Sequence, residues 1–284
     1  MKLVTLLHDN KEVVGVLTED GAAVRPLPFA DMNALIQAPR ETLLTAVKDA
    51  AAALPLSAVT LLAPIPRPRQ DVICLGINYK AHAEEAARYS SEAFTKERPL
   101  PIYFSKRVTE AVAPEGDIES HPGLVERLDY EAELAVIIGK TAKNVKAEDA
   151  ADYIFGYTVL NDVSARVLQT AHKQWYFGKS LDGFTPMGPC IVTADEIAFP
   201  PALHITARVN GELWQDSTTD LLITSIADII EELSSGMTLL PGTIISTGTP
   251  AGVGMGFDPP KFLKPGDVVE CAIEGIGTLR NTVR

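Results

Sequence analysis

Leu128-Asp129-Tyr130-Glu131-Ala132-Glu133-Leu134-Ala135-Val136-Ile137-Ile138 alternates polar and apolar residues in its first half and is apolar throughout its second half. That pattern reads as one long strand, half-solvated at its start and buried on both faces at its end. Side chains repeat every two residues along a strand, so Asp129, Glu131 and Glu133 fall on one face and Tyr130, Ala132 and Leu134 on the other. Alternate Cα atoms lie about 6.5–7 Å apart, close enough for two glutamates to converge on one ion. Three carboxylates on one face repel one another unless water or a cation lies between them. Hard oxygen ligands suit Mg²⁺, Mn²⁺ or Ca²⁺ better than zinc. A solvated outer face of an antiparallel sheet would show the same alternation. Against that stands the run into Leu134–Ile138, because carboxylates leading into a buried strand need a partner or an ion.

Downstream, Tyr157-Thr158-Val159-Leu160 is a short apolar strand that ends at Asn161-Asp162. Asp162 can supply a third carboxylate, or it can cap the helix expected over Ser164 to about His172. Arg166 and Gln169 share a face of that helix. Lys179 follows in Phe177-Gly178-Lys179-Ser180-Leu181-Asp182-Gly183. A cation beside a metal-bound anion can bind a substrate carboxylate or polarise a carbonyl, although lone basic residues are more often plain surface charge.

Farther out, the chain divides. Residues 1–66 read as a small α+β unit, with strands at Leu3–His8 and Val13–Leu17 joined by Asp9-Asn10-Lys11, and a helix over Glu41–Ala53. Ala63-Pro64-Ile65-Pro66-Arg67-Pro68-Arg69 continues neither helix nor central strand and is read as an extended linker. Residues 70–284 form the larger unit. Strands are expected at Val72–Leu75, Ile102–Ser105, Thr243–Thr247, Val268–Ile273 and Gly277–Val283. Asn210-Gly211 marks a type I′ hairpin, and a helix runs from about Ala81 to Tyr89. An amphipathic helix covers Ser225–Leu233, with Gly236 as its stop. Many strands with few, short helices do not alternate as βαβ units. The fold class is α+β and β-rich, a sandwich or roll with peripheral helices.

The 284 residues carry a formal net charge of −12, and no basic cluster offers the field that nucleic acid needs. Cys74, Cys190 and Cys271 are far apart and form no CxxC pair, which fits a reducing compartment. The N-terminal apolar run stops at Asp9, too short for a signal peptide or membrane span, so a cytoplasmic protein is expected. Gly252-Val253-Gly254-Met255-Gly256 is followed by Phe257-Asp258-Pro259-Pro260 and therefore fails as a dinucleotide-binding fingerprint. It reads as a tight turn, or as a site loop where the Thr249 hydroxyl and backbone amides meet a substrate carboxylate.

Gly76-Ile77-Asn78-Tyr79 with His82, Ala113-Pro114-Glu115-Gly116, Leu128–Leu134, Asn161-Asp162-Val163-Ser164-Ala165-Arg166, Gly178-Lys179-Ser180-Leu181-Asp182 and Thr247-Gly248-Thr249-Pro250 together resemble the fumarylacetoacetate hydrolase family. The resemblance covers most of residues 70–284. It implies a mixed β-sandwich roll, usually a homodimer. It also implies a Mg²⁺ or Mn²⁺ ion (Ca²⁺ in vitro) on Glu131, Glu133 and Asp162. Lys179 matches the family's active-site lysine, and Arg166, Gln169, Thr249 and Lys106 fall on the substrate side. His82 and Glu85 form an H-x-x-E pair at helical spacing. By spacing alone this is an exposed pair; in relatives that cleave acylpyruvates or decarboxylate oxaloacetate it sits on a mobile lid helix, where the Glu orients a water-activating His. The polar stretch of 86–100, with Arg88, Ser90, Ser91, Lys96, Glu97 and Arg98, suits a hinge. Val167 departs from the aspartate that many relatives carry after the arginine.

The function implied is metal-dependent cleavage of a C–C bond in a small 2-oxo acid. Hydrolysis of an acylpyruvate-type 2,4-dioxo acid comes first and oxaloacetate decarboxylation next. Isomerases, hydratases and dehydratases of 2-oxo acids share the same enolate chemistry. A degenerate metal- and ligand-binding sensor is the non-enzyme alternative.

Overall fold

In the computed structural model, residues 1–87 and 100–284 are described. Arg88 and Tyr89 of the expected helix lie outside the described residues, as do Ser90, Ser91, Lys96, Glu97 and Arg98 of the expected hinge. The chain begins with β1 (Lys2–His8), β2 (Lys11–Leu17) and β3 (Ala23–Pro26), then α1 (Met32–Gln37), α2 (Arg40–Lys48), β4 (Leu54–Pro55) and β5 (Thr60–Leu61). After the proline run come β6 (Val72–Gly76), α3 (Lys80–Ala86), β7 (Ile102–Lys106), β8 (Asp117–Ile118), β9 (Leu128–Asp129) and β10 (Ala132–Ile138). Next are β11 (Ile154–Asn161), β12 (Ser164–Ala165), α4 (Arg166–Ala171), α5 (Tyr176–Lys179) and β13 (Met187–Thr193). The last elements are β14 (His204–Val209), β15 (Glu212–Thr218), α6 (Ile226–Gly236), β16 (Ile244–Ser246), β17 (Val268–Ile273) and β18 (Gly277–Val283). None of the described helices is long and apolar enough to cross a membrane.

Among the described residues, one mixed sheet of eleven strands runs β4-β3-β2-β1-β13-β11-β10-β16-β6-β7, with β5 added on β1. A second sheet of five strands, β15-β14-β17-β18-β8, packs on it. The expected β-rich α+β sandwich is the observed architecture. Its inner layer joins Leu134, Val136 and Ile138 of β10 to Ile205, Ala207, Val269, Cys271 and Leu279 of the smaller sheet. The alternate residues Ala135 and Ile137 turn to the opposite face, where they pack with Leu160, Met32, Leu35, Ile36 and Cys74. Both faces of β10 are therefore buried, as its continuous apolar run requires. All three cysteines are buried and free.

Residues 1–66 join the same sheet. β1 pairs antiparallel with β13, and Val4 and Leu6 enter one core while Leu3 enters the other. The Asp9-Asn10 turn takes φ of 48° and 58°, and Asn210-Gly211 takes 52° and 82°, both in the left-handed region a type I′ hairpin uses. The helix expected over Glu41–Ala53 ends at Lys48.

The expected long strand 128–138 is broken at Tyr130 and Glu131. Side chains there take the place of ladder partners: Tyr130 N donates to Asp129 Oδ1 (2.9 Å), Glu131 N to Asn161 Oδ1 (3.0 Å) and Ala132 N to Gln215 Oε1 (3.0 Å). The expected helix from Ser164 begins at Arg166, because Ser164 and Ala165 pair with Asp129 and Leu128 as strands.

Candidate active site

The carboxylates come together through the β10–β11 register. Glu133 pairs with Leu160 and Ala132 with Asn161, and just past the ladder Asp162 N donates to Glu131 O (2.9 Å). Glu131, Glu133 and Asp162 are buried, and each offers an oxygen within 4.8 Å of the others. Glu133 Oε2 accepts from Ser246 Oγ (2.5 Å) and Gly248 N (2.9 Å). Glu133 Oε1 is buried with no partner among the described residues.

Cations surround the other two. Lys179 Nζ bridges Glu131 Oε2 (2.8 Å) and Asp162 Oδ2 (2.7 Å). Arg166 donates to Glu131 Oε1 (2.6 Å), to Asp129 Oδ2 (2.8 Å) and to Gln169 Oε1 (3.2 Å). Its Nη2 is buried and has no partner among the described residues. The backbone supports this arrangement at Gly178, where a Cβ would collide with the backbone of Gln169, so a glycine lets α5 lie close on α4. Asp162 Oδ1 takes its bond from Lys106 Nζ (2.8 Å), and Asp162 caps no helix.

Burial alone would raise the Glu131 carboxyl, but Lys179 and Arg166 outweigh it and bring it down to about 2. Glu133 is pushed well above the ordinary carboxylate range by burial and by the charges of Asp162 and Glu131. Burial acts to discharge Lys179, yet Asp162 and Glu131 beside it raise its pKa and keep it protonated. Asp129, Glu131 and Asp162 face three cations, Lys106, Lys179 and Arg166, so Glu133 is the carboxyl of the buried cluster left without a cationic partner of its own. An orphan carboxylate oxygen, three converging oxygen donors and a carboxyl with no cationic partner fit a divalent cation of the oxygen-preferring class.

His82 and Glu85 stand on α3 with Nδ1 and Oε2 3.0 Å apart, both largely buried. Glu85 Oε1 accepts from Gly252 N (3.0 Å). His82 lines one small cavity together with Glu131, Arg166, Gln169, Lys179 and Thr249. Ile77, also in its wall, has φ of 52°, a strained conformation for a β-branched residue.

The profile of the fumarylacetoacetate (FAA) hydrolase C-terminal family matches residues 71–284. The chain belongs to the fumarylacetoacetate hydrolase family. Enzymes of this family act on small 2-oxo acids and depend on divalent metals. An oxaloacetate tautomerase of Bacillus subtilis is 50% identical over 229 residues, which span 80% of this chain and 74% of that protein. A mitochondrial oxaloacetate tautomerase of Rattus norvegicus is 45% identical over 248 residues, spanning 86% of this chain and 76% of that one. A solved fumarylacetoacetate hydrolase from Exiguobacterium antarcticum shares 39% identity at a TM-score of 0.88, covering 100% of this chain and 99% of its own. A solved 5-carboxymethyl-2-hydroxymuconate delta-isomerase from Mycobacterium smegmatis shares 34% identity at a TM-score of 0.78, covering 100% and 99%.

Of the residues expected on the substrate side, Arg166, Gln169 and Thr249 line the cavity, and Lys106 does not. Lys106 is fully buried behind Asp162, reaches the carbonyls of Val163 (3.2 Å) and Lys179, and does not line the cavity. Thr249 lines the cavity, but its hydroxyl donates to Ala132 O (2.9 Å) and accepts from Gln215 Nε2 (2.8 Å). The loop amides expected to meet a substrate carboxylate are also engaged: Gly254 N (2.7 Å) and Met255 N (3.0 Å) donate to Asp129, and Gly252 N to Glu85. Asp129 thus anchors both the glycine loop and Arg166. Its position on the carboxylate run marks it in the sequence, but its distance from the other three carboxylates in the fold does not. Ser246, Phe104, Trp175 and Met255 give no comparable sequence signal.

Proposed function

We propose that this chain interconverts the enol and keto forms of a small 2-oxo dicarboxylic acid of the oxaloacetate type. The observation that carries the reading is a pair of complementary buried atoms at one site. Glu133 Oε1 is an acceptor open to a cation, and Arg166 Nη2 is a donor open to an anion. A divalent cation on Glu131, Glu133 and Asp162 would supply Lewis acidity toward a 2-oxo group. Arg166 Nη2, backed by Asp129 and Gln169, binds and orients a substrate carboxylate. Lys179, held charged, stabilises negative charge on the enolic oxygen. His82, oriented through Nδ1 by Glu85, exchanges the proton at C3 through Nε2. Conversion of enol to ketone then balances, since one proton leaves oxygen and one is added to carbon. The two tautomerase relatives support this choice among the family's reactions.

Hydrolysis of an acylpyruvate is the second reading, favoured by the same His82–Glu85 pair acting on a water at C4. Enol-oxaloacetate decay, followed by its ultraviolet absorbance, tests the first reading beside acetylpyruvate cleavage. With Mg²⁺ or Mn²⁺ the wild type should accelerate enol decay, and Glu131→Ala should not. Loss of His82 should lower the rate by about 10²–10⁴-fold. No acceleration over buffer at saturating metal, with acetylpyruvate cleaved, would replace the first reading by the second.

A further inference from the structure

Trp175 immediately precedes α5 and lies across the end of β6. A methyl group added at Gly76 would overlap the indole ring, so the ring rests directly on the strand backbone. Among the described residues it also meets Phe104 on β7, with ring centroids 5.3 Å apart and planes at 62°. Phe104 in turn lies 5.3 Å from Lys179 Nζ, the cation that joins Glu131 to Asp162. Gly76, Phe104 and Trp175 line the same cavity as Glu131, Arg166 and His82. The cavity volume is about 20 Å³, so little free room lies between the aromatic wall and the polar side. Gly76 and Phe104 belong to paired strands of the large sheet, which fixes the surface on which the indole rests.

We propose that Trp175 is a specificity-determining residue, a rigid wall that limits the group a 2-oxo acid carries beyond C3. On that geometry the site takes a hydrogen, methyl or carboxylate there and rejects an aryl group. This rests on the reading of the cavity as a 2-oxo acid site. The polar side, from Arg166 to Lys179, takes the carboxylate and 2-oxo end that every such acid shares. Discrimination falls to the apolar side, where Trp175, Phe104 and Gly76 meet the part that differs. Gly76 belongs to the same device, because any side chain there would drive the indole into the cavity.

The test compares the affinity of pyruvate and of phenylpyruvate, by calorimetry in Mg²⁺, for wild type, Trp175→Ala and Trp175→Phe. A mismatch of hydrophobic size is worth about 10–200-fold. Wild type should prefer pyruvate by at least about tenfold, Trp175→Ala should remove or invert that preference, and Trp175→Phe should fall between them. If Trp175→Ala does not fold, Trp175→Phe and Trp175→Leu carry the comparison. An unchanged ratio in the folded variants, including equal weakening of both ligands, overturns the proposal and leaves Trp175 a packing residue. Failure of wild type to bind pyruvate at all overturns the 2-oxo acid reading and this proposal with it.

Discussion

Glu133→Gln keeps the shape of the side chain and removes an ionisable carboxyl from the buried cluster. The amide oxygen can accept the bonds that Ser246 Oγ (2.5 Å) and Gly248 N (2.9 Å) give to Oε2. The amide nitrogen then occupies the place of Oε1, which lacks a partner among the described residues, and can donate toward Asp162 or Glu131. An unsatisfied buried polar atom costs about 1–3 kcal/mol. In EDTA the variant should therefore be no less stable than wild type, and up to about 3 kcal/mol more stable. At roughly 2–4 °C per kcal/mol for a chain of this size, that gain is roughly 2–12 °C in Tm. Metal reverses the order. Wild type at a hundredfold excess over Kd should gain about 2.7 kcal/mol, roughly 5–11 °C, and the variant none. The pH dependence has a definite sign. Burial, Asp162 and Glu131 raise the folded-state pKa of Glu133 above its unfolded value. The unfolded chain then deprotonates first, so metal-free wild type loses stability as pH rises from about 4.5 toward the folded value. Glu133→Gln should lack that loss. Calorimetric unfolding at pH 5 and pH 8, in EDTA and in Mg²⁺, reads all of this. A variant destabilised in EDTA and still stabilised by Mg²⁺ as much as wild type would refute the reasoning.

Lys106→Met removes one of the two ammonium partners of the fully buried Asp162, a change that should cost up to about 3 kcal/mol, and it should weaken metal binding about 10–100-fold while KM at saturating metal stays near wild type. An intact unfolding curve with a raised KM would return Lys106 to the substrate side. Stability tied to Glu131 should be present above about pH 4.5 and lost as pH falls toward its folded value of about 2, and an acid unfolding profile unchanged in Glu131→Gln would contradict this. We expect a homodimer, so light scattering should give twice 30.5 kDa, whereas a species at 30.5 kDa would contradict it.

Period-two patterning made the β-rich fold and the carboxylate trio legible, because a strand side chain's face follows from its position alone. The alternation offered Glu131 and Glu133, and an apolar strand ending beside a helix offered Asp162, but a solvated face and a helix cap stayed open on those patterns, and the resemblance to the family is what singled the three out as ligands. What stayed hidden depends on where separate segments meet. The break at Tyr130–Glu131 comes from Asn161 and Gln215, distant residues whose amides replace ladder bonds. Lys106 looks like a substrate contact until the fold buries its ammonium among Asp162 and the carbonyls of Val163 and Lys179. Thr249 and the glycine-run amides look free until Ala132, Gln215, Asp129 and Glu85 engage them. Trp175 carries no motif, and its place follows from the contact of α5 with the end of β6.

The central claim is that this site draws a proton from C3 of a 2-oxo acid, whatever step follows. Exchange of the C3 protons of 2-oxobutyrate in D₂O, followed by proton NMR, measures that directly, since this acid has no C4 carboxylate or carbonyl to lose. With Mg²⁺ the wild type should exchange the protons faster than buffer, chelation should abolish the acceleration, and Glu133→Gln should show none. Absence of exchange by Mg²⁺-loaded wild type, or exchange that survives chelation, would contradict the account.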